Sequence, residues 1–166
     1  GGTGVLAALD LEAHPALLCS VHTFGKAAGC HGAIICGSLV LRQFLWNYAR
    51  PLVYSTAQPL HSLVAIRGSY DSMIGEEGEK RRRHVFLLVR LFRDTMTESL
   101  SAASGTTVSL WPSSSPIQAL VMASNDVCLQ FCQHMLTRFQ IRLYPIRAPT
   151  VPVGQERVRI ILHAHN

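Results

Sequence analysis

Apolar positions along the chain fall into short runs separated by Gly-, Pro- and Ser-containing breaks, a rhythm that predicts short strands alternating with helices. Residues 17–22 read as a short buried strand, residues 33–36 as a second one closed by Gly37-Ser38, and residues 23–32 as a small-residue turn between them. Leu41, Phe44, Leu45 and Tyr48 give residues 39–49 helical spacing. Pro51 disfavours helix at Arg50, so residues 52–55 are expected to be extended. A further helix is predicted from Pro59 to about Ser69, with the proline in the first turn where no amide hydrogen is needed, and Gly75 and Gly78 interrupt the chain after it.

The second half opens on the longest periodic stretch. From about Glu79 to Leu100 the positions Val85, Leu88, Leu91, Phe92, Met96 and Leu100 follow the 3.6-residue period, with arginines and threonines opposite. Residues 101–105 read as a loop, 106–110 as a strand, 111–116 (Trp-Pro-Ser-Ser-Ser-Pro) as a turn-rich connector and 117–122 as an apolar strand. Ser124 or Asn125 can cap a helix whose inner face is Cys128, Cys132, Met135 and Phe139. Residues 141–146 and 158–162 are β-rich and joined by a Pro- and Gly-containing segment, so the chain ends as a small α+β unit. The composition shift over residues 72–80 marks the expected domain boundary, giving 1–74 and 75–166.

Composition changes this picture in one respect. Among 166 residues 48% are hydrophobic and only 15% charged, against roughly a quarter charged in an ordinary soluble domain, so much of the surface is expected to be covered. No apolar run approaches the roughly 20 residues needed to span a bilayer, and the chain reads as soluble. Gly1-Gly2-Thr3-Gly4 carries neither an initiator methionine nor a signal peptide, so the chain is expected to begin inside a longer protein. Five cysteines without framework spacing (Cys19, Cys30, Cys36, Cys128, Cys132) suit a reducing, intracellular compartment, most simply the cytoplasm. The net charge of +5 comes from scattered arginines and the run at 80–83, which follows Glu76, Glu77 and Glu79 and reads as a solvated helix face rather than a nucleic-acid surface. Cys128, Cys132 and His134 fall short of a zinc ligand set, and His163 and His165 lack further ligands, so no metal is expected.

The candidate chemistry is in the first turn. His22-Thr23-Phe24-Gly25-Lys26-Ala27-Ala28-Gly29 places one lysine among small residues directly after a strand. A lysine that attacks an aldehyde must lose its proton, which partial burial beside positive charge favours, and flanking small residues leave room for a planar ring. A plain surface lysine at a strand end is the alternative.

Three later segments bear on that choice: residues 47–57 (Asn-Tyr-Ala-Arg-Pro-Leu-Val-Tyr-Ser-Thr-Ala), 149–154 (Pro-Thr-Val-Pro-Val-Gly), and 156–160 with 162–164 (Glu-Arg-Val-Arg-Ile, Leu-His-Ala). Together with 22–27 and in this order, they resemble the α-oxoamine synthases, a family of fold-type I pyridoxal-phosphate enzymes. The resemblance spans nearly the whole chain. It implies an α/β fold in which this chain supplies the end of the large domain and most of a small C-terminal α+β domain.

The resemblance also implies roles. Lys26 would carry pyridoxal 5'-phosphate as a Schiff base and later shuttle the substrate's α-proton, and Thr23 would reach the cofactor phosphate. Ser55 and Thr56 would reach the phosphate of the neighbouring subunit's cofactor, making the site a property of a homodimer. Thr150 would line the substrate site, and Arg159 would hold the amino-acid carboxylate through its fork. Arg157 lies on the same strand face, and only the resemblance chooses between the two arginines. The implied reaction condenses an amino acid, L-alanine in the biotin-pathway member, with an acyl-CoA or acyl-carrier thioester, releasing carbon dioxide and free thiol. Other members of the family make sphingoid bases, 5-aminolevulinate or secondary metabolites.

The family's aspartate for the pyridinium nitrogen, in an Asp-Glu-Ala-His segment, and its ring-stacking histidine are expected upstream of this chain. Asp10-Leu11-Glu12-Ala13-His14 imitates that segment, but Asp10 is only 16 residues before Lys26, about half the family's separation, and reads as a surface residue. Residues 1–9 instead resemble the glycine-rich stretch and helix that follow the family's aspartate, and the family continues beyond 162–164 into a final helix. An inactive, truncated copy serving as a dimerisation module is the non-enzymatic alternative.

Overall fold

The computed structural model describes residues 4–103 and 105–166, so the glycine-rich start expected at 1–3 lies outside the described residues. The chain divides into two compact units, Gly1–Lys80 and Arg81–Asn166.

The first unit opens with a one-turn helix α1 (Val5–Ala8) and a turn through Asp10, which is exposed at φ 55°. Strands β1 (Cys19–Thr23) and β2 (Ala33–Gly37) pair antiparallel, in register from Cys19 opposite Gly37 to Thr23 opposite Ala33. Ser38 then caps helix α2 (Leu39–Tyr48), its hydroxyl accepting from the Leu41 amide at 3.2 Å. The extended segment expected at 52–55 is not formed. Ala49 takes the extended conformation, and a new one-turn helix α3 (Arg50–Val53) starts with Pro51 in its first turn. The restriction before a proline is a preference, and Pro51 loses no helical hydrogen bond at that position.

Helix α4 (Leu60–Ile74) runs beyond the expected Ser69 and ends where Gly75 becomes extended. Gly78 was expected to interrupt the chain, but it lies inside helix α5 (Glu76–Ala102). A Cβ there would strike the carbonyls of Met73 and Ser72, so this glycine serves the tight corner between α4 and α5. Glu76, Glu77 and Glu79 occupy the first turn of α5, where acidic side chains favour the positive helix end.

The second unit is an antiparallel sheet of β3 (Ser109–Leu110), β4 (Ile117–Val121), β5 (Tyr144–Ile146) and β6 (Arg157–Ile161), in the order β3-β4-β6-β5, with helix α6 (Asn125–Phe139) after β4. Ser124 caps α6, accepting from the Val127 amide, and Gln140 closes it in the left-handed conformation. The strand expected over 106–110 shrinks to two residues. One sheet face carries the core: Leu120, Met122 and Val158 bury against Cys128, with Met96 and Leu100 of α5 and Phe131 and Cys132 of α6 around them. Two face assignments change. Val89 of α5 is buried and Leu91 exposed, since 85, 88/89, 92 and 96 form one stripe and 91 falls off it. Phe139, the last residue of α6, is also exposed.

The first unit has little core of its own. Phe24 is its one fully buried side chain among the described residues, while Leu39, Val40, Phe44, Trp46, Leu52 and Tyr54 are all more than half exposed. Apolar surface on that scale exceeds what a monomeric soluble domain ordinarily exposes.

The buried thiols make the second unit's stability depend on pH. Burial pushes the Cys128 thiol above its ordinary value of 9.0, with the neighbouring Cys132 and Glu156 adding to the rise and Arg147 opposing it. Burial raises Cys132 likewise. A group whose native pKa is raised contributes stability that is full below its unfolded pKa and lost as pH climbs through the native one. The thermal midpoint is therefore expected to fall above pH 9.0, and Cys128→Val to flatten part of that fall. An identical fall in the variant would contradict this account.

Candidate functional site

Lys26 stands at the tip of the nine-residue loop joining β1 to β2, residues 24–32. The loop is cross-braced at its base, the Phe24 amide donating to the Gly32 carbonyl and the Cys30 amide to the Phe24 carbonyl, at 2.9 and 2.8 Å. A turn closes over the lysine itself, Gly29 N–H donating to the Lys26 carbonyl at 2.9 Å with Gly29 at φ 62°. Helix α4 ties the loop down at two points. Tyr70 meets the buried Phe24 ring edge-on at 6.1 Å, and the Ser69 hydroxyl donates to the Ala28 carbonyl at 2.8 Å. Gly32 sits at φ 107°, and any side chain there would collide with the Gln58 amide.

These anchors fix the loop and leave its tip projecting. Lys26 is exposed, its amine has no hydrogen-bond or ion-pair partner among the described residues, and the partial burial expected of it is not provided by this chain. Phe24 and Ala28, on either side of it, make the anchoring contacts to α4. Thr23, the last residue of β1 and three before the lysine, is also exposed with an unengaged hydroxyl. An exposed primary amine without an acidic partner on a braced loop, three residues after an exposed hydroxyl at the strand end, is a donor set suited to an aldehyde that also carries a phosphate.

Ser55 and Thr56 follow α3 and are not part of that loop. They line a cleft of about 910 Å³ with β2, the inner side of α2 and the stretch through Gln58, a cleft that neither Thr23 nor Lys26 lines. Arg42 stacks over the Trp46 ring at its edge, 5.1 Å from the centroid. The structure thus places Thr23 at the end of β1, at the foot of the loop that carries Lys26, and Ser55 and Thr56 in a separate cleft.

Thr150 and Arg159 belong to the second unit. Thr150 is exposed in a turn after the cis Ala148–Pro149 peptide, its amide donating to the Arg147 carbonyl at 2.8 Å. Arg159 is the central residue of β6, between Ala119 of β4 and Tyr144 of β5, on the sheet face away from the core. It is exposed, and its guanidinium has no partner among the described residues. Arg157 is engaged. Its guanidinium lies over the Trp111 ring at 4.3 Å and donates to Gln155, to the backbone oxygen at 3.0 Å and the side-chain oxygen at 3.3 Å. The sequence reading did not single out Trp111; the tryptophan opening a Pro- and Ser-rich turn was the available signal. Asp10 and His14 are exposed. No cluster of three metal-binding side chains occurs among the described residues, nor a helix long and apolar enough to cross a membrane.

Comparison with known proteins adds a family context. The profile of aminotransferase class I and II matches residues 2–166. The 8-amino-7-oxononanoate synthase of Emericella nidulans is 36% identical over 99% of this chain and 39% of its own length. That of Cupriavidus necator is 37% identical over 98% and 39%. Among solved structures, 8-amino-7-oxononanoate synthase from Francisella tularensis superposes with a TM-score of 0.70 at 22% identity, over 90% of this chain and 41% of that one. A serine palmitoyltransferase from Sphingomonas wittichii gives a TM-score of 0.81 at 20% identity, over 99% and 39%. These structural likenesses establish the fold, that of part of a fold-type I transferase. The chain spans about two fifths of the length of the curated relatives it matches.

Proposed function

Because the chain belongs to the aminotransferase class I and II family, whose cofactor is pyridoxal 5'-phosphate, we propose that it is the lysine-bearing portion of an α-oxoamine synthase. The protein containing it condenses an amino acid, L-alanine by preference, with an acyl thioester. The observation that carries this reading is Lys26: an exposed amine without a partner among the described residues, at the tip of a braced loop that follows Thr23. The first unit is read as the end of the large cofactor-binding domain and the second as the small C-terminal domain, both intracellular and assembled as a homodimer.

The donor set fits the cofactor, which supplies, when bound, an electron sink for the carbanion formed at the amino acid's α-carbon. Lys26 would hold the cofactor through its amine and would move the proton at the amino acid's α-carbon. Thr23 donates its hydroxyl to the cofactor phosphate. Ser55 and Thr56, set apart from Lys26, donate theirs to the phosphate in the partner subunit, which accounts for their lying in a different cleft. Arg159 presents an unengaged fork from a rigid strand and binds the amino-acid carboxylate in bidentate fashion, with Thr150 lining the same site. The α-carbon, having given its proton to Lys26, forms a bond to the thioester acyl carbon as the thiolate leaves and takes up a proton; the carboxyl group then leaves as carbon dioxide, and the electron pair it leaves on the α-carbon is protonated.

The test is an assay of the complete protein with L-alanine, glycine and L-serine against one acyl thioester, following thiol and carbon dioxide together. Equimolar release with L-alanine foremost is the expected result, and release with none of the three would contradict the proposal. In the same assay Arg159→Ala is expected to raise the KM for the amino acid roughly 10- to 100-fold, the worth of a charged bidentate hydrogen bond of about 1.5–3 kcal/mol. An unaltered KM would move the role to Arg157.

A further inference from the structure

The outer face of the second unit's sheet presents two arginines two residues apart, and alternation along β6 points both the same way. A carboxylate arriving at this face would meet two equivalent forks, and a bound amino acid could sit in either of two registers about one pleat apart. The contacts of the two side chains remove that equivalence.

Trp111 is what separates them. Directly after β3, it continues the ladder by one rung, its amide donating to the Ala119 carbonyl at 2.9 Å. Arg93 of α5 fixes it from the other side, one guanidinium nitrogen donating to the Trp111 carbonyl at 3.1 Å and to the Gln118 side-chain oxygen at 2.8 Å. Gln118 is fully buried and spends its amide hydrogens on the carbonyls of Ser113 and Ser115, which pins the turn that follows the tryptophan. The ring is therefore held at a set place on the sheet. Arg157 reaches it diagonally across β4, lays its guanidinium plane on it and points its edge at Gln155. Arg159, opposite Ala119, has only a methyl group beside it on that strand and keeps its fork free.

We propose that Trp111 is a positioning residue that sets substrate register: by engaging Arg157 it leaves Arg159 as the single carboxylate receptor on this sheet face. The inference rests on the reading of Arg159 as the carboxylate-binding residue given above. The ring covers the guanidinium's face, and in that pose its edge donors Nε–H and one Nη–H are spent on the two Gln155 oxygens. Arg157 thus adds positive potential without offering a competing fork.

The test is a titration of the isotopically labelled full chain with L-alanine, and with acetate as the bare carboxylate, following the arginine Nε–H resonances by NMR. In the native chain the Arg159 signal moves with ligand, while the Arg157 signal stays put and carries the ring-current shift of Trp111. In Trp111→Leu the Arg157 signal loses that shift and begins to titrate, and the preference for Arg159 falls by roughly 2- to 30-fold, the range a cation–π contact spans. Trp111→Phe, which keeps an aromatic face, retains the native pattern. Equal response of both arginines in the native chain, or an unchanged Arg157 in a folded Trp111→Leu, overturns the proposal and leaves the carboxylate role of Arg159 standing. No response from either arginine in any form refutes that role itself. Should Trp111→Leu not fold, the native chain and Trp111→Phe alone still decide whether Arg157 is shielded.

Discussion

Lys26→Ala is expected to abolish turnover by the complete protein, with a loss of roughly 10³-fold or more, the scale seen when a covalent catalytic group is removed. The visible absorbance of the bound cofactor should disappear with it. The argument rests on how the loop is held. Phe24 and Ala28 are fixed through contacts with Tyr70 and Ser69, and Gly32 through its carbonyl, which accepts from the Phe24 amide. None of these involves the lysine side chain, so removing it leaves the loop intact and deletes only the amine. Stability should therefore be unchanged, and a variant that lost activity by unfolding would not count. Thr23→Ala, which removes one phosphate donor, should weaken cofactor retention by far less.

Val158→Asp is expected to prevent the second unit from folding. Val158 has no exposed surface and packs with Leu120, Met122 and Cys128. Burying a carboxylate there costs several kcal/mol, against a total stability of about 5–15 kcal/mol for a domain. Ile161, also on β6 but 42% exposed, is the control, and Ile161→Asp should stay within about 0.5 kcal/mol of the native chain. Near-ultraviolet circular dichroism and resistance to proteolysis would report both. A folded Val158→Asp would mean that this sheet face is not the core.

Local pattern was enough for the elements that local pattern decides. The β1–β2 turn, α2, the long α5, the Ser124 cap of α6 and the succession of small elements along the chain at its end were all legible from periodicity, capping residues and breakers. The departures come from places where distant contacts or competing preferences win. Pro51 read as a helix stop and became part of a helix start, because a proline in the first turn loses nothing. Gly78 read as a breaker and instead lets two helices meet closely. Phe139 had the right spacing for the core and lies beyond its edge.

The candidate site divides in the same way. The Lys26 segment carried a readable motif, whereas the exposure of the lysine follows from where α4 grips the loop, which no local pattern encodes. The choice between Arg157 and Arg159 could not be made from alternation, since both face one way. In the structure the two differ by a contact: Arg157 lies over a tryptophan 46 positions earlier, brought alongside by the β3-β4-β6 pairing, and Arg159 does not.

The central claim, that Lys26 is the cofactor amine, has an internal control in this chain. There are only two lysines, Lys26 and Lys80. Pyridoxal 5'-phosphate offered to the protein and fixed by borohydride reduction should leave its phosphopyridoxyl mass on the peptide containing Lys26, with Lys80 unlabelled at equal exposure to reagent. Equal labelling of the two lysines, or labelling of Lys80 alone, would contradict the account.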